Sequence, residues 1–259
     1  MITSYLQGGL GNQLFQISAA ISLAQYLGTE PVFDIKNHDL PKQGRKCDKY
    51  LETIFRNIKF SSNLAIKQTE VYHEPHFHYK KIVPAPNLCL VGYFQSERYF
   101  KKHADYIRET FSIDDKTEEA INEKYGKILE RKPIAVHVRR GDYLQFSDAH
   151  PPCSIEYYKN AMASFPDNTT FLMFSDDIPW CKENFLQDNV VFIEKNEDIV
   201  DFYLIYMCNG VILSNSSFSW WAAWLNNNEN KRIIAPKRWF GKTMPHNTRD
   251  LIPEQWEIM

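Results

Sequence analysis

Short apolar runs that alternate with helix-length amphipathic segments are the sequence feature that most limits how this chain can fold. Eight runs are typical of buried β-strands, at residues 2–6, 31–34, 88–93, 134–138, 171–174, 190–193, 211–213 and 233–235. Strands separated by helical segments indicate βαβ units and a largely parallel sheet. Eight strands are too many for one small sheet, so we predict an α/β protein with more than one sheet.

A charged segment at residues 110–132 separates two blocks of these runs. Its sequence, TFSIDDKTEEAINEKYGKILERK, is typical of a solvent-facing helix, and Pro133 follows it. We therefore predict a first domain over residues 1–130 and a second over residues 131–259.

Composition excludes several classes of protein. Hydrophobic residues make up 44% of the chain and the formal net charge is −2, which argues against disorder and gives no sign of a nucleic-acid-binding surface. The five cysteines are scattered and form no Cys-x-x-Cys pair, which favours a reducing compartment. The chain has no apolar stretch of about 18 residues or more, and no basic leader. We expect a cytoplasmic protein without a membrane span.

The N-terminal stretch GGLGNQL resembles part of a dinucleotide-binding turn. Gly9 and Gly11 take the first two glycine positions, but Leu14 stands where the third glycine belongs, which disfavours an NAD-dependent oxidoreductase. Strand, glycine turn and helix are still expected here, and Gly28 closes the helix. Polar side chains cluster at its first turn: Asn12, Gln13 and Gln16. They either meet a polar ligand or form a solvated helix end.

The stretch IAVHVRRGDY places charge at a strand end. Because side chains alternate along a strand, His137 and Arg139 emerge on the same side, near the end where parallel sheets bind ligands. Arg139 can present two parallel hydrogen bonds to a diphosphate. The alternative is that Arg139 or Arg140 pairs with Asp142 in a surface turn.

Two further strand ends carry polar groups. Asp176 and Asp177 follow the run FLMF, where a carboxylate can accept from the N1–H and N2–H of guanine, cap a helix, or hold Mg²⁺ or Mn²⁺. The run VIL is followed by SNSSFSWWAAWL, whose serine-rich helix start can bind an anion. Together, the three strand ends predict a nucleoside-diphosphate site. The tryptophans of the last segment are interpreted as core.

Four stretches resemble the α-1,2-fucosyltransferases of glycosyltransferase family 11, and in particular its bacterial members. They are GGLGNQLFQ, HVRRGDY, FSDDIPWC and LSNSSFSWWAAWL, in the family's order and spread over nearly the whole chain. The resemblance implies a GT-B-like α/β fold in which two Rossmann-like domains face a cleft, an acceptor-side domain followed by a GDP-sugar-binding domain. It also implies an inverting enzyme that uses GDP-fucose and needs no metal or other cofactor.

The resemblance assigns roles to individual residues. Arg139 would bind the donor's β-phosphate, His137 would line the nucleotide site, and Asp176 or Asp177 would lie near the guanine. The turn formed by Ser216, Ser217 and Phe218 would hold phosphate oxygens. On the acceptor side, Asn12 would project into the cleft beside Gln13, while Gly9 and Gly11 would let the backbone approach the sugar.

The expected reaction moves L-fucose from GDP-fucose to the 2-hydroxyl of a terminal galactose in a bacterial surface glycan, on an acceptor that could be lipid-linked at the inner face of the membrane. For a general base the candidates are Asp142 and, less favourably, His137; alternatively Asn12 only orients the sugar. Open alternatives are a different linkage, a different GDP-sugar, and a binding module without turnover.

The acceptor region, from about residue 38 to 93, matches no motif. Within it, HEPHFH places three histidines close together, but Pro75 interrupts them and no helical i, i+4 pair is present, which disfavours a metal site.

Overall fold

The structure is a computed structural model of the 259-residue chain, and it describes residues 1–35, 47–62, 64 and 70–259. Part of the unassigned acceptor region therefore lies outside the described residues. The chain divides into two units: Met1–Ser112 with His246–Pro253, and Ile113–Pro245 with Glu254–Met259.

The first unit is built on short parallel strands. Its described elements are β1 (Ile2–Ser4), α1 (Leu10–Tyr26), β2 (Phe33–Asp34), β3 (Phe60–Ser61), β4 (Glu70–His73), β5 (Leu88–Val91) and α2 (Ala104–Thr110). Three of the strands form a parallel sheet in the order β1-β5-β4, and β2 pairs in parallel with β3. The carboxyl ends of β1, β5 and β4 therefore share one edge.

Helix α1 follows β1 and supplies much of the core of the first unit. Leu14, Phe15 and Ile17 are fully buried, as expected for an apolar helix packed on a sheet. The helix ends in a Schellman motif, in which the Thr29 N–H donates to Ala24 O at 3.0 Å and the Gly28 N–H to Gln25 O at 3.2 Å. Gly28 has a φ of 64°, so its role in closing the helix is confirmed.

The second unit holds a larger parallel sheet flanked by helices. Its elements are α3 (Asp115–Leu129), β6 (Ile134–Val138), α4 (Ile155–Ala163), β7 (Phe171–Ser175), α5 (Ile178–Asn184), β8 (Val190–Phe192), α6 (Asp198–Met207), β9 (Gly210–Ile212), α7 (Ser217–Leu225), β10 (Arg232–Ala235) and β11 (Glu257–Ile258). Strand β6 is buried along its whole length, which explains its continuous apolar run. Trp220, Trp221 and Trp224 are buried, so their interpretation as core is confirmed.

The strand order of this sheet creates a place for a ligand. The order is β11-β10-β9-β6-β7-β8, and every neighbouring pair is parallel. The chain runs outward from β6 through β7 and β8, then returns to β9 on the other side of β6. The loops after β6 and β9 diverge at this reversal, where open α/β sheets bind ligands.

The predicted α/β class with parallel sheets is confirmed. All eight predicted strands are present, with ends within two residues of those expected. The sequence pattern missed β3, β4 and β11, because β3 and β11 have only two residues each and β4 carries exposed, polar side chains. Among the described helices, none has the length and apolar content needed to cross a membrane.

The division between the units falls earlier than the sequence predicts. The predicted boundary lies at residues 130 and 131, whereas the structure separates Ser112 from Ile113. The reason is that α3 packs against the α6 region of the second unit, with Ile121 buried and the Tyr125 hydroxyl donating to Asn196 Oδ1 at 2.9 Å. The charged helix therefore opens the second unit instead of ending the first.

Candidate active site

Three strand ends of the second unit bring most of the predicted site residues together. The loops after β6, β7 and β9 leave neighbouring strands at one sheet edge, since β6 lies between β7 and β9. The predicted donor-side residues on these loops and strand ends are His137, Arg139, Asp176, Asp177, Ser216, Ser217 and Phe218, and the predicted catalytic residue Asp142 lies there too.

Arg139 is held between two carboxylates. Its Nη2 lies 2.7 Å from Asp142 Oδ1 and its Nη1 lies 3.1 Å from Asp176 Oδ2. About a third of the arginine side chain is exposed, at 35%. The loop fits only because Gly141 has no side chain, since a Cβ there would meet Asp176 Oδ2 at 2.6 Å. Arg139 is thus fixed in direction while part of its side chain faces solvent.

This geometry bears on the alternatives left open for Arg139 and Asp142. Arg139 does pair with Asp142, as the surface-turn alternative expected, but it also pairs with Asp176 on the neighbouring loop. The carboxylate of Asp142 is thereby engaged by a cation. That contact favours a role for Asp142 in orienting the arginine over a role as general base.

Arg140, which the sequence suggested only as a possible partner of Asp142, forms a second latch with other residues. Its backbone N–H donates to Asp176 Oδ1 at 2.9 Å, and its side-chain Nε donates to Asp177 Oδ2 at 3.0 Å. The guanidinium lies 3.8 Å from the centroid of the Trp180 ring, within cation–π range. Asp177 also caps α5 by accepting the Trp180 N–H at 3.3 Å, which is the helix-cap alternative.

The two aspartates therefore face arginines. Carboxylates bound to guanidinium groups are poorly placed to share a divalent cation, and within the described residues no three His, Cys, Asp or Glu side chains form a group that could hold a metal ion. In the HEPHFH segment, the rings of His76 and His78 stack with centroids 3.6 Å apart. Independence from metal stays a prediction.

His137 lies on β6 and connects the β6 end to the β9 loop. Its Nδ1 is 2.8 Å from Ser214 Oγ, and its ring centroid is 5.6 Å from that of Phe218. Burial, and then the charge of Arg139, lower the pKa of His137 to about 4, while Asp176 opposes them. The imidazole is therefore neutral at pH 7 and lines the site as a hydrogen-bonding group.

The β9 loop is fixed by Asn215, which the sequence analysis did not identify. Its side-chain Nδ2 donates to Pro151 O at 3.0 Å and to Trp239 O at 2.9 Å. Its backbone carbonyl accepts from the Tyr143 hydroxyl at 3.0 Å. Ser216 then caps α7 by accepting the Phe218 N–H at 3.3 Å. The first turn of α7 is thereby held beside the switch point, where backbone N–H groups attract an anion.

The predicted acceptor-side residues all lie in the first unit, at the N-cap and in the first turn of α1, directly after the turn that follows β1. Asn12 Oδ1 accepts from Gln95 Nε2 at 2.7 Å, which joins the turn to the loop after β5. Gln13 is 1% exposed, and its Nε2 donates to Gly8 O at 3.0 Å. Gln16 is fully buried and exchanges hydrogen bonds with the Gln7 backbone, at 2.9 Å and 3.2 Å.

One prediction for this turn needs correction, whereas the role of Gly9 and Gly11 in letting a sugar approach stays a prediction. Gln13 was expected to meet a ligand beside Asn12, but it is buried under the turn and holds its backbone in place. The glycine that the turn requires is Gly8, since it has a φ of 78° and a Cβ there would lie 2.3 Å from Asn12 Nδ2. Gly9 is the N-cap of α1 with a φ of −78°, and nothing within 4 Å would meet a Cβ there. Gly11 lies inside the first turn of α1.

Comparison of the sequence with known proteins identifies the family of this chain. The sequence profile of glycosyl transferase family 11 matches residues 1–257. The chain is 31% identical to an alpha-1,2-colitosyltransferase of Escherichia coli, over 99% of this chain and 98% of that protein. It is 27% identical to a galactoside alpha-(1,2)-fucosyltransferase 1 of Pan troglodytes, over 86% of this chain and 64% of that protein.

A solved structure shares the fold. The crystal structure of NodZ alpha-1,6-fucosyltransferase soaked with GDP-fucose superposes with a TM-score of 0.55 at 16% identity, over 91% of this chain and 94% of that one. At this identity the likeness concerns the fold alone. The family match over almost the whole length, together with the 31% identical relative, shows that this chain belongs to glycosyltransferase family 11 and is a glycosyltransferase.

Proposed function

We propose that this protein transfers L-fucose from GDP-fucose to the 2-hydroxyl of a terminal galactose, with inversion at the anomeric carbon and without a metal ion. The observation that carries the proposal is the position of Arg139 at the switch point, held by Asp142 and Asp176. A fixed guanidinium fork beside a helix N-terminus suits the diphosphate of a nucleotide sugar.

The chemistry follows from where negative charge develops. The galactose O2 attacks the anomeric carbon of fucose, and the bond from that carbon to the diphosphate breaks with its electron pair on the β-phosphate oxygen. Arg139 and the first-turn N–H groups of α7 stabilise this oxygen more strongly as its charge grows. These groups supply the positive charge that a metal ion supplies in other transferases.

Asp142 acts in this scheme as a positioning residue. It holds one side of the guanidinium at 2.7 Å and Asp176 holds the other at 3.1 Å, so the arginine loses little freedom when the diphosphate binds. Asp176 and Asp177 remain the carboxylates nearest to a nucleoside base in this proposal. The enzyme would act in the cytoplasm on a surface glycan that is still attached to its lipid carrier.

The α-1,2 linkage is supported by the names of two relatives, which agree on the linkage and differ in the transferred sugar. The second candidate function is therefore α-1,2 transfer of colitose, which is L-fucose without its 3-hydroxyl group. The 31% identical relative favours it. The two donors share the diphosphate, so Arg139 serves either reaction.

The test is a donor competition in excess EDTA. The purified protein is given equimolar GDP-fucose and GDP-colitose with a panel of β-galactosides, and the products are analysed by mass and linkage. We expect fucose on galactose O2 as the main product. A colitosylated product would mean that the donor is GDP-colitose, and a different linkage would mean that another acceptor hydroxyl is used. GDP binding without transfer would indicate a binding module.

A further inference from the structure

The HEPHFH segment, which the proposed function leaves unused, begins at His73, the last residue of β4, and continues from the carboxyl edge of the first unit's sheet. Glu74 comes directly after β4, and its N–H donates to Val91 O at 2.8 Å. The three strands of this sheet are parallel, so the loops after β1 and β5 leave at the same edge. Glu74 therefore shares an edge with the turn that carries Asn12.

The Glu74 carboxylate is held in one orientation by three donors. Its Oε2 accepts the N–H of Tyr93 at 2.7 Å and that of Phe94 at 3.0 Å. The Tyr99 hydroxyl lies 3.4 Å from Oε1 and itself accepts the Lys80 N–H at 3.2 Å, which directs its proton toward the carboxylate.

The loop that supplies the Tyr93 and Phe94 N–H groups has a constrained backbone. Phe94 is fully buried and has a φ of 52°, which is uncommon for a residue with a side chain and is kept only where surrounding structure enforces it. Gly92 passes so close that a Cβ there would meet Glu74 Cβ at 2.3 Å. Holding a carboxylate at the cost of backbone strain is typical of a functional group.

The charge environment of Glu74 differs from that of the other carboxylates discussed. Asp142, Asp176 and Asp177 are each bound to an arginine, whereas Glu74 makes no ion pair within the described residues. Burial raises the pKa of the Glu74 carboxyl, against smaller opposing effects of the Phe94 and Tyr93 N–H groups. The titratable groups that face it are Tyr72, Tyr99 and His76.

The surroundings of Glu74 suit a neutral sugar. Tyr93, whose N–H binds the carboxylate, exposes 36% of its surface, and aromatic faces pack against the apolar face of a sugar ring. The next residue but one, Gln95, donates to Asn12 at 2.7 Å. The carboxylate, the amide pair and the aromatic ring thus all follow strand ends at one edge of the sheet, and groups of these kinds orient small polar ligands.

We propose that this edge binds the acceptor galactose and that Glu74 accepts the proton of its 2-hydroxyl. The inference rests on the proposed fucosyl transfer. As the O2–H bond breaks, the proton passes to the Glu74 carboxylate and the oxygen's electron pair forms the bond to the anomeric carbon. The bond to the diphosphate breaks at the same time, and its electron pair leaves on the nucleotide.

The test is the Glu74→Gln variant, which keeps the shape of the side chain and removes the proton acceptor. Loss of a general base lowers kcat by about 10² to 10⁴. We expect that loss with an unchanged affinity for GDP and unchanged far-UV circular dichroism. Glu70→Gln, at the exposed start of the same strand, is the matched control and should keep wild-type kcat.

The outcomes separate this inference from the proposed function. Fucosyl transfer by the wild-type and Glu70→Gln proteins establishes the assay. If Glu74→Gln then keeps more than half of the wild-type kcat, Glu74 is not the base. If that variant does not fold, Glu74→Asp keeps a carboxylate one methylene further back. We then expect Glu74→Asp to have a lower kcat than wild type. We also expect kcat to fall on acidification in wild type and in His76→Gln alike. An acid limb that disappears in His76→Gln would assign the titration to the histidine and overturn the inference.

Discussion

The carboxyl edges of the two sheets carry carboxylates in opposite electrostatic settings. In the second unit, Asp142, Asp176 and Asp177 are all paired with Arg139 or Arg140 at 3.1 Å or less. In the first unit, Glu74 is held by backbone N–H groups and a phenol, without a cationic partner among the described residues. In our proposal, the same position in a parallel sheet serves an anionic ligand in one unit and a neutral one in the other.

The partners of a carboxylate, more than its place at a sheet edge, indicate what it can do. A carboxylate that holds an arginine leaves the arginine to face the ligand. In our proposal, the Glu74 carboxylate, which is held by N–H groups in a partly buried site, is itself the reactive group.

The largest expected effect on kcat follows replacement of Arg139, at the carboxyl edge of the second unit's sheet. Arg139→Ala should lower kcat by about 10² or more, because it removes a preorganised donor to the leaving diphosphate. Arg139→Lys keeps the charge but loses the fork, and it should recover only part of the rate. Initial rates of GDP release measure both. Near-normal turnover in a folded Arg139→Ala protein would exclude the arginine from the mechanism.

The next effect concerns the turn of the first unit. Gly8→Ala should destabilise the protein by about 1–3 kcal/mol, because the residue has a φ of 78° and its Cβ would meet Asn12 at 2.3 Å. Gly9→Ala is the matched control, since it has an ordinary φ and open space, and we expect a smaller change. Urea unfolding of both variants decides the point. Equal stability would mean that the turn tolerates a side chain at residue 8.

A smaller effect is expected for the residue that orients Arg139. Asp142→Asn should lower kcat about tenfold, with a raised KM for the donor, because it removes one of the two ion pairs that orient the arginine. A general base at this position would instead lose about 10² or more with an unchanged donor KM. Steady-state kinetics with both substrates varied distinguishes the two roles.

The smallest effect is the contribution of His137 to stability against pH. Its folded pKa of about 4 lies below the unfolded value of 6.5, so the unfolded chain takes up the proton first and stability falls as pH drops through this window. Asp201 acts in the opposite sense, because burial raises its folded pKa to about 6. The difference between wild type and His137→Gln removes the Asp201 contribution.

We expect that difference to shrink by about 1 kcal/mol for each pH unit of acidification within the window. Chemical unfolding at pH 7, 6 and 5 provides the measurement. A difference that does not change with pH would show that His137 has the same pKa in the folded and unfolded states.

The residues at the carboxyl edge of the second unit's sheet could be predicted from the sequence to a large extent. Period-two alternation placed His137 and Arg139 at one strand end, and apolar runs followed by polar residues located the β7 and β9 loops. The latch made by Arg140 and Trp180 was missed, because a cation–π contact depends on where α5 lies after Asp177.

The first unit was less predictable, for a physical reason. Buried amides such as Gln13 and Gln16 look the same in sequence as amides that face a ligand, since only the turn's own carbonyl and N–H groups decide which they are. Glu74 gave no signal because its donors come from residues 19 and 20 positions later in the chain. Contacts of that range are set by the tertiary fold.

The most direct test of the two-edge account is calorimetric titration of GDP into wild type, Arg139→Ala and Glu74→Gln. Our account predicts that GDP affinity falls at least about tenfold in Arg139→Ala, the scale of one lost hydrogen bond to a charged group, and is unchanged in Glu74→Gln. Unchanged GDP affinity in Arg139→Ala, or an equal loss in both variants, would contradict the assignment of the nucleotide to the second unit's edge.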